Sequence, residues 1–473
     1  MIFSTYFEFL MNGGRFAVPL HPIKVWHMIV LKFGGTSMGT AQRIRDVSLL
    51  VQRKESCIVT LSAMAGVTDK LIACIKCFRN GDRIKGDEIL QVIRSEFEHT
   101  AFELFHEQAT LESMVAFFET TFSNISFHLH TGISDETANW TIVQGEMITS
   151  VIFTEYLLSI GIRAKLLNAP DFMRLNNLGE ADLQAITELL MPNINPADHG
   201  LYITQGFVCR NHRGEIDNLK RGGSDYSATL IGAALKAKMI EIWTDIDGMQ
   251  NNDPREVEET FAVRQLSFDE AAELAYFGAK ILHPACVWPA QQFNIPIWLR
   301  NTMHPDNNGT LILEGGTRND ITAIAAKDRI TAIRIKSGRM LNTYGFLVSL
   351  FKVFEDFQTP IDMITTSEVS VSLTIDNNTR LDEIVRELMK LGTVEIDRDQ
   401  TIICVVGDFL IDKYGHVARI LHSLQSIPIR MISYGGSQNN ISLLVARQDK
   451  KQALNKLNSG LFQLSNLPEY AYS

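Results

Sequence analysis

The chain has 473 residues, 45% of them hydrophobic and 21% charged, and a formal net charge of −10. That length points to two or three domains, while the acidic balance excludes a nucleic-acid-binding face and a basic membrane-binding surface. No apolar run is long enough to span a bilayer, and the six scattered cysteines, mostly inside apolar runs, read as buried thiols of a reducing, cytoplasmic compartment.

Residues 1–27 start with an apolar stretch that lacks a basic segment and a small-residue cleavage site, which makes a poor secretion signal. They are expected to be an N-terminal extension, disordered or not native, with Met28 as the biological start. From there to about 325 strand-like and helix-like segments alternate, which predicts an αβα sandwich around a mostly parallel sheet. Ile29 to Phe33 are apolar around one lysine and predict a buried strand. Gly34-Gly35 then allow a tight turn, and Thr36 and Ser37 are placed to cap the helix that follows. A strand, a glycine turn and a helix start gather N–H groups and a positive dipole end, an anion site beside the charge of Lys32. Cys57 to Ser62 reads as a second buried strand, with Ala63 to Thr68 as the loop leaving it. Cys74 and Cys77 have redox-motif spacing but share a helical pattern with Leu71, Ile72 and Ile75, so they fill a core. Gly81 to Glu88 has P-loop spacing, yet Asp87-Glu88 stands where lysine and a hydroxyl residue are required.

Helical spacing from about 88 to 130 marks an insertion, and Glu146 lies in another helical stretch, Ile142 to Leu158. Leu201 to Thr204 is a strand ending in Gln205-Gly206-Phe207. The densest chemistry follows, Lys220-Arg221-Gly222-Gly223-Ser224-Asp225, which runs into a helix over Tyr226 to Ala237 and forms a second helix-terminal anion site. Ile240 to Trp243 is again a strand, leading to Thr244-Asp245-Ile246-Asp247-Gly248 and then Asp253-Pro254-Arg255. Ligands of open α/β sheets bind at such strand ends. Phe277-Gly278-Ala279-Lys280 closes a helix. Beyond 330 the pattern changes: Pro360 to Ile364 and Pro428 to Ile432 repeat at similar settings, each after a helical stretch and before an alternating strand. Two tandem small modules follow from that repeat. Neither holds a cluster of catalytic residue types, so binding is their expected work.

These motifs together resemble the aspartokinase family over about 28 to 473, through Lys32 to Ser37, Arg221 to Asp225, Trp243-Thr244-Asp245 with Asp253-Pro254-Arg255, and Phe277 to Lys280 with His283-Pro284. The tail resembles the paired ferredoxin-like (βαββαβ) ACT units of the monofunctional, lysine-sensitive branch, with the run Ile361 to Ser372, which contains Thr365 to Ser370, as its strongest sign. The resemblance implies an N-terminal segment 1–27, an amino-acid-kinase domain over 28–325, a first, effector-binding ACT unit over 330–400, and a second, dimerising one over 401–473. It implies transfer of phosphate from ATP, with Mg2+, to the side-chain carboxylate of aspartate. Lys32, Gly34, Gly35 and Asp225 would be catalytic. Thr68, Glu146, Arg221 and Ser224 would bind aspartate, with Arg221 on its α-carboxylate and Glu146 on its ammonium group. Lys32, Gly35, Thr36, Ser37, Thr244, Asp245, Gln250, Arg255 and Lys280 would contact the nucleotide. Gln250 stands in a segment where the family carries an aromatic residue, so stacking on the nucleotide is not expected there. Met340, Thr343, Asp362, Thr366, Ser367 and Glu368 would bind lysine at an interface between subunits of a homodimer or a dimer of dimers. Two other readings are a sensor of the same fold without catalysis and a kinase for glutamate or acetylglutamate.

Overall fold

The computed structural model describes residues 28–195, 200–220, 222–278, 282–316, 321–340, 344–408 and 414–462. The expected extension over 1–27, and with it Arg221, Lys280 and Thr343, lies outside the described residues.

The first strand, β1 (Ile29–Phe33), is buried along almost its whole length. Solvent exclusion on both faces suits the middle of a parallel sheet, and β1 lies there. Around it are β2 (Cys57–Leu61), β3 (Lys165–Leu167) and β4 (Leu201–Gln205). A small hairpin of β5 (Val208–Arg210) and β6 (Ile216–Asn218) follows, then β7 (Met239–Thr244), β8 (Gln265–Leu266), β9 (Ile297–Asn301) and β10 (Thr310–Ile312). The eight-stranded order is β3-β4-β2-β1-β7-β9-β10-β8, parallel throughout except between β9 and β10.

Helices cover both faces. They are α1 (Ala41–Gln52), α2 (Val67–Arg79), α3 (Arg83–Leu104), α4 (Gln108–Thr131), α5 (Asp135–Ile142), α6 (Gln144–Ser159), α7 (Leu183–Leu190), α8 (Gly223–Leu235), α9 (Phe268–Tyr276) and α10 (Pro284–Gln292). The two-residue period of β1 divides its side chains between the two layers. Val30 joins Ala228 and Ile231 of α8 in one core, while Leu31 and Phe33 join Ile44 and Val47 of α1 in the other. Lys32 therefore points to the α8 side, where its site lies.

One local expectation is corrected. Thr36 and Ser37 do not cap a helix: Gly35–Met38 form one 3-10 turn, and α1 starts after Thr40, whose hydroxyl accepts from the Arg43 N–H at 3.3 Å. The Ser37 hydroxyl is already committed to Thr302 Oγ1, 2.7 Å away in a buried contact. The expected helical insertion is two helices, α3 and α4, joined by three residues; Phe97 packs on Phe118 and Phe122, with ring centroids 6.4 Å apart in both pairs. Cys74 is buried in α2, as core filling requires.

The C-terminal part has a six-stranded antiparallel sheet ordered β12-β13-β11-β14-β16-β15. In chain order it contains β11 (Ala323–Lys336), α11 (Phe346–Asp356), β12 (Ile364–Thr366), β13 (Ser370–Ile375), α12 (Leu381–Leu388), β14 (Thr393–Val406), α13 (His416–Ser423), β15 (Ile429–Tyr434), β16 (Asn440–Ala446) and α14 (Lys450–Phe462). The run β11-α11-β12-β13-α12-β14 is one βαββαβ unit. The other consists of β14-α13-β15-β16-α14 and takes the start of β11 as its remaining strand. Both 14-residue strands therefore serve both units: Ala323–Lys327 pairs with Ile402–Val406, and Ile330–Lys336 with Thr393–Gln400. Ile324 accordingly sits in the core with Ile403, Leu443 and Leu454, whereas Ile333 and Ile335 pack with Leu350, Phe354 and Leu373. The expected limits at 325 and 330 fall inside the single strand β11.

The C-terminal sheet is held to the N-terminal part by polar groups as well as by apolar ones. Asn251 donates through Nδ2 to Asn458 Oδ1 at 2.9 Å, the Ile324 N–H donates to the Asn251 carbonyl at 2.7 Å, and Lys450 Nζ lies 2.9 Å from Glu256 and 2.8 Å from Asp328.

Candidate active site

At the carboxyl end of β1, β2 and β4 a cleft of about 380 Å³ opens between the Ala63–Thr68 loop and the start of α8. Lys32, Gly35, Thr68, Glu146, Ser224 and Asp225 all line it. The register explains the meeting of Lys32 with Asp225. Lys32 ends the α8-facing row of β1, and Asp225 is in the first turn of α8, so Nζ reaches Oδ1 at 2.6 Å with both side chains at most 15% exposed. The carboxylate also complements the positive end of the helix.

The turn into α8 is shaped by its neighbours. Gly222 caps α8 with φ +71, a left-handed conformation that favours glycine, and a Cβ there would come within 2.3 Å of His283 Cβ. The Cys286 thiol, buried at the start of α10, lies 3.6 Å from the Gly222 carbonyl as a donor, and burial pushes its pKa well above the ordinary range, which keeps it a thiol. Arg221, the residue expected on the α-carboxylate, precedes this turn and lies outside the described residues.

Glu146 sits in the first turn of α6 and is 4% exposed, with its Oε2 lacking any partner. Burial pushes its carboxyl up to about 8, opposed by backbone N–H groups of Glu146 and Ala63. A buried carboxyl with an unused oxygen in a polar cleft is poised to take a cation.

The nucleotide set is dispersed by comparison. Thr36 is exposed, Ser37 is fully buried against Thr302, and neither lines the cleft. Thr244 ends β7 and Asp245 follows it, next to the glycine turn, since the Gly34 N–H donates to the Trp243 carbonyl at 3.1 Å; the Thr244 hydroxyl donates to Asp245 Oδ1 at 3.1 Å. Gln250 bridges to Ala262. The Arg255 guanidinium is engaged by Asp253 through two bonds, 2.9 and 2.6 Å, so it is not turned to the cleft as an open fork. Lys280 lies outside the described residues. Asp247, on which the sequence places no role, is pinned by Asn307 and Asn301, whose amides hold its carboxyl below the usual range.

The cleft also contains Phe207 and Lys220, which lie in the motifs read from the sequence but were given no role of their own there. Both have left-handed backbones, φ 69 and 61. The Phe207 N–H donates to Ser227 Oγ at 2.8 Å, which holds the strained turn in place. The only signal was the pair of glycines near each, Gly206 and Gly222.

Among the effector residues, Thr366, Ser367 and Glu368 are exposed beside the edge strand β12, and Met340 is half-buried. Asp362 is not with them. Its side chain is 2% exposed and bonded towards the kinase part. Thr343 lies outside the described residues.

Comparison with known proteins finds likeness along both parts of the chain. The model of the amino acid kinase family matches residues 27–301, and an ACT domain model matches 403–461. The chain is 32% identical over 458 residues to the lysine-sensitive aspartokinase 3 of Escherichia coli, covering 92% of this chain and 99% of that one. It is 33% identical to the chloroplastic aspartokinase 3 of Arabidopsis thaliana, covering 92% and 81%. The crystal structure of E. coli aspartokinase III with aspartate and ADP, in the R-state, superposes with a TM-score of 0.82, at 32% identity over 92% of this chain and all of that one. The T-state complex of the same enzyme with lysine and aspartate gives 0.76 at the same identity and coverage. With its parallel kinase sheet, its ACT sheet and this likeness along nearly its whole length, the chain belongs to the aspartokinases, kinases that phosphorylate the carboxyl group of aspartate.

Proposed function

We infer that the cleft transfers the γ-phosphoryl group of ATP to the side-chain carboxylate of L-aspartate, giving 4-phospho-L-aspartate and ADP. The observation that carries this reading is the buried Glu146 carboxyl, one oxygen of which has no partner, lining the same cleft as the Lys32–Asp225 pair. Glu146 takes the α-ammonium group of the substrate, Thr68 and Ser224 position it, and Arg221 clamps its α-carboxylate through a bidentate pair. One carboxylate oxygen of the substrate attacks the γ-phosphorus as the bond to the ADP oxygen breaks. No general base is needed, because the nucleophile is ionised at neutral pH. Positioning and charge stabilisation make up the catalysis of such a step.

Lys32, with the N–H groups of the Gly34-Gly35 turn, stabilises the charge that spreads over the transferring oxygens. Asp225 orients Lys32. It is also the carboxylate of the cleft that fits Mg2+ carried in with the nucleotide, since Mg2+ is commonly held by one or two carboxylates plus phosphates. The ion would neutralise phosphate charge. Thr36, Ser37, Thr244, Asp245, Gln250, Arg255 and Lys280 form the nucleotide side. On that reading Arg255 exchanges Asp253 for phosphate, and Ser37 acts through the turn it braces.

The first ACT unit is the lysine site, with Met340, Thr343, Thr366, Ser367 and Glu368 around the ligand. Feedback by lysine is supported by the names of the relative and of its lysine-bound T-state structure. Self-association through this unit is supported by exposed apolar residues, Leu347, Val348 and Phe351 on α11 with Tyr344 just before it, and by the wholly exposed edge strand β12. A homodimer, or a dimer of dimers, covers them. Six free thiols support a cytoplasmic setting.

The test is ATP-dependent trapping of the acyl phosphate by hydroxylamine, with aspartate, with and without lysine. Hydroxamate suppressed by lysine is expected, with Glu368→Ala keeping turnover and losing sensitivity. No hydroxamate from aspartate overturns the reading.

A further inference from the structure

Helix α9 is held to the regulatory sheet on successive turns. Thr322 donates to Glu270 Oε1 at 2.6 Å, Asn440 donates to Glu273, and the Tyr276 hydroxyl donates to Asp362 Oδ1 at 2.9 Å. Positions 270, 273 and 276 lie on one helix face. At the last of them Lys327 Nζ also reaches Asp362 Oδ1, at 2.7 Å. It lies 2.9 Å from Asp376 and 4.5 Å from the centroid of the Tyr276 ring. Asp362 Oδ2 is buried with no partner. Immediately beyond Tyr276, Gly278 (φ +111) lies so close to the Ala326 carbonyl that a Cβ would sit 2.4 Å from it. A few residues on, His283 packs on Gly222 at the mouth of the catalytic cleft. One segment thus touches the regulatory sheet at one end and the substrate turn at the other.

We propose that the Tyr276–Asp362 hydrogen bond is the contact through which occupancy of the effector site in the first ACT unit reaches the catalytic cleft. This rests on the reading of that unit as a lysine site. Asp362 stands two residues before β12, so a ligand seated against β12 moves the backbone that carries this carboxylate and loosens its bonds to Tyr276 and Lys327. Release of Tyr276 frees the end of α9, and the shift passes through Gly278 and His283 to Gly222. The chain superposes on the aspartate–ADP complex of the E. coli relative with a TM-score of 0.82 and on its lysine complex with 0.76, and in the proposed coupling the bond is part of the active arrangement. Its loss favours the inhibited one.

Tyr276→Phe deletes the hydroxyl and keeps the ring. In the hydroxamate assay its uninhibited rate stays within about twofold of the parent's, while the half-inhibitory lysine concentration falls about three- to tenfold, a shift in the range of ordinary allosteric coupling. Lys327→Met moves the curve the same way. A Tyr276→Phe curve that overlays the parent's, or shifts to higher lysine, overturns the coupling while leaving the effector site intact. A parent enzyme that turns over yet shows neither lysine inhibition nor lysine binding by calorimetry overturns the effector reading and this proposal with it.

Discussion

A glutamate with its carboxyl pushed up to about 8 carries a proton at neutral pH in the free enzyme. Pairing with an ammonium group ionises it, so aspartate binding at pH 7 is expected to release a proton. Calorimetry in buffers of different ionisation enthalpy measures that release directly. Below pH 8 the apparent affinity for aspartate falls, at most tenfold per pH unit, and Glu146→Gln flattens the profile. That variant also loses about 1.5–3 kcal/mol of binding, roughly a 10- to 100-fold rise in KM. The sign for stability is opposite to that of a carboxylate whose pKa is lowered by a cation in the folded state. The raised value contributes stability below the ordinary pKa of 4.5, and this is lost as pH rises through about 8. Glu146→Gln should therefore flatten the fall in melting temperature of the ligand-free protein over that window. At Lys32, replacement by alanine is expected to lower kcat by about 10²–10³, with the folded state retained in circular dichroism. Lys32 and Asp225 were legible in the sequence because each lies next to a glycine turn at a strand or helix end. The altered chemistry of Glu146 was not, because it arises from packing under Ala63 and Met64, far away along the chain.

Turns and helices convert those residues into a site. Gly222 combines a left-handed backbone with a Cα pressed on His283, so Gly222→Ala is both strained and crowded. A loss of about 1–3 kcal/mol is expected, read as a lower melting temperature. Aspartate KM should rise more than ATP KM, because the turn carries Arg221. The glycines announced a turn, but its partner lies some sixty residues away, on an element whose lysine and His-Pro motif gave no hint of packing there. Thr36 and Ser37 show the opposite failure. Their types suit a helix cap, yet a distant threonine competes successfully for the Ser37 hydroxyl, and local propensity yields to tertiary contact. Helix content and the parallel sheet were readable from periodicity, since apolar runs buried on both faces have few other homes.

For the molecule as a whole, the two parts behave as one body where Asn458, 4% exposed, joins them. Its Oδ1 accepts from Asn251 and its Nδ2 donates to the Glu259 carbonyl at 2.8 Å. Asn458→Leu takes a buried partner from each and is expected to cost about 2–4 kcal/mol, visible in scanning calorimetry as an earlier transition of the regulatory part. The repeat of Pro360 and Pro428 showed that there are two modules. It could not show that they exchange strands, because the halves of β11 and β14 read as ordinary alternation either way. That exchange governs how the chain assembles. The first strand segment of the regulatory part to leave the ribosome, Ala323–Lys327, pairs with Ile402–Val406, about 80 residues later. Closing so long a loop is slow and comes after the contacts inside it have formed. The inner module can condense first while the outer one waits with one face of its sheet uncovered. A nascent or truncated chain that stops before α14 therefore presents the apolar face of Ile403, Val405, Leu443 and Val445 to other chains, so this 13-residue helix acts as the assembly's closing step.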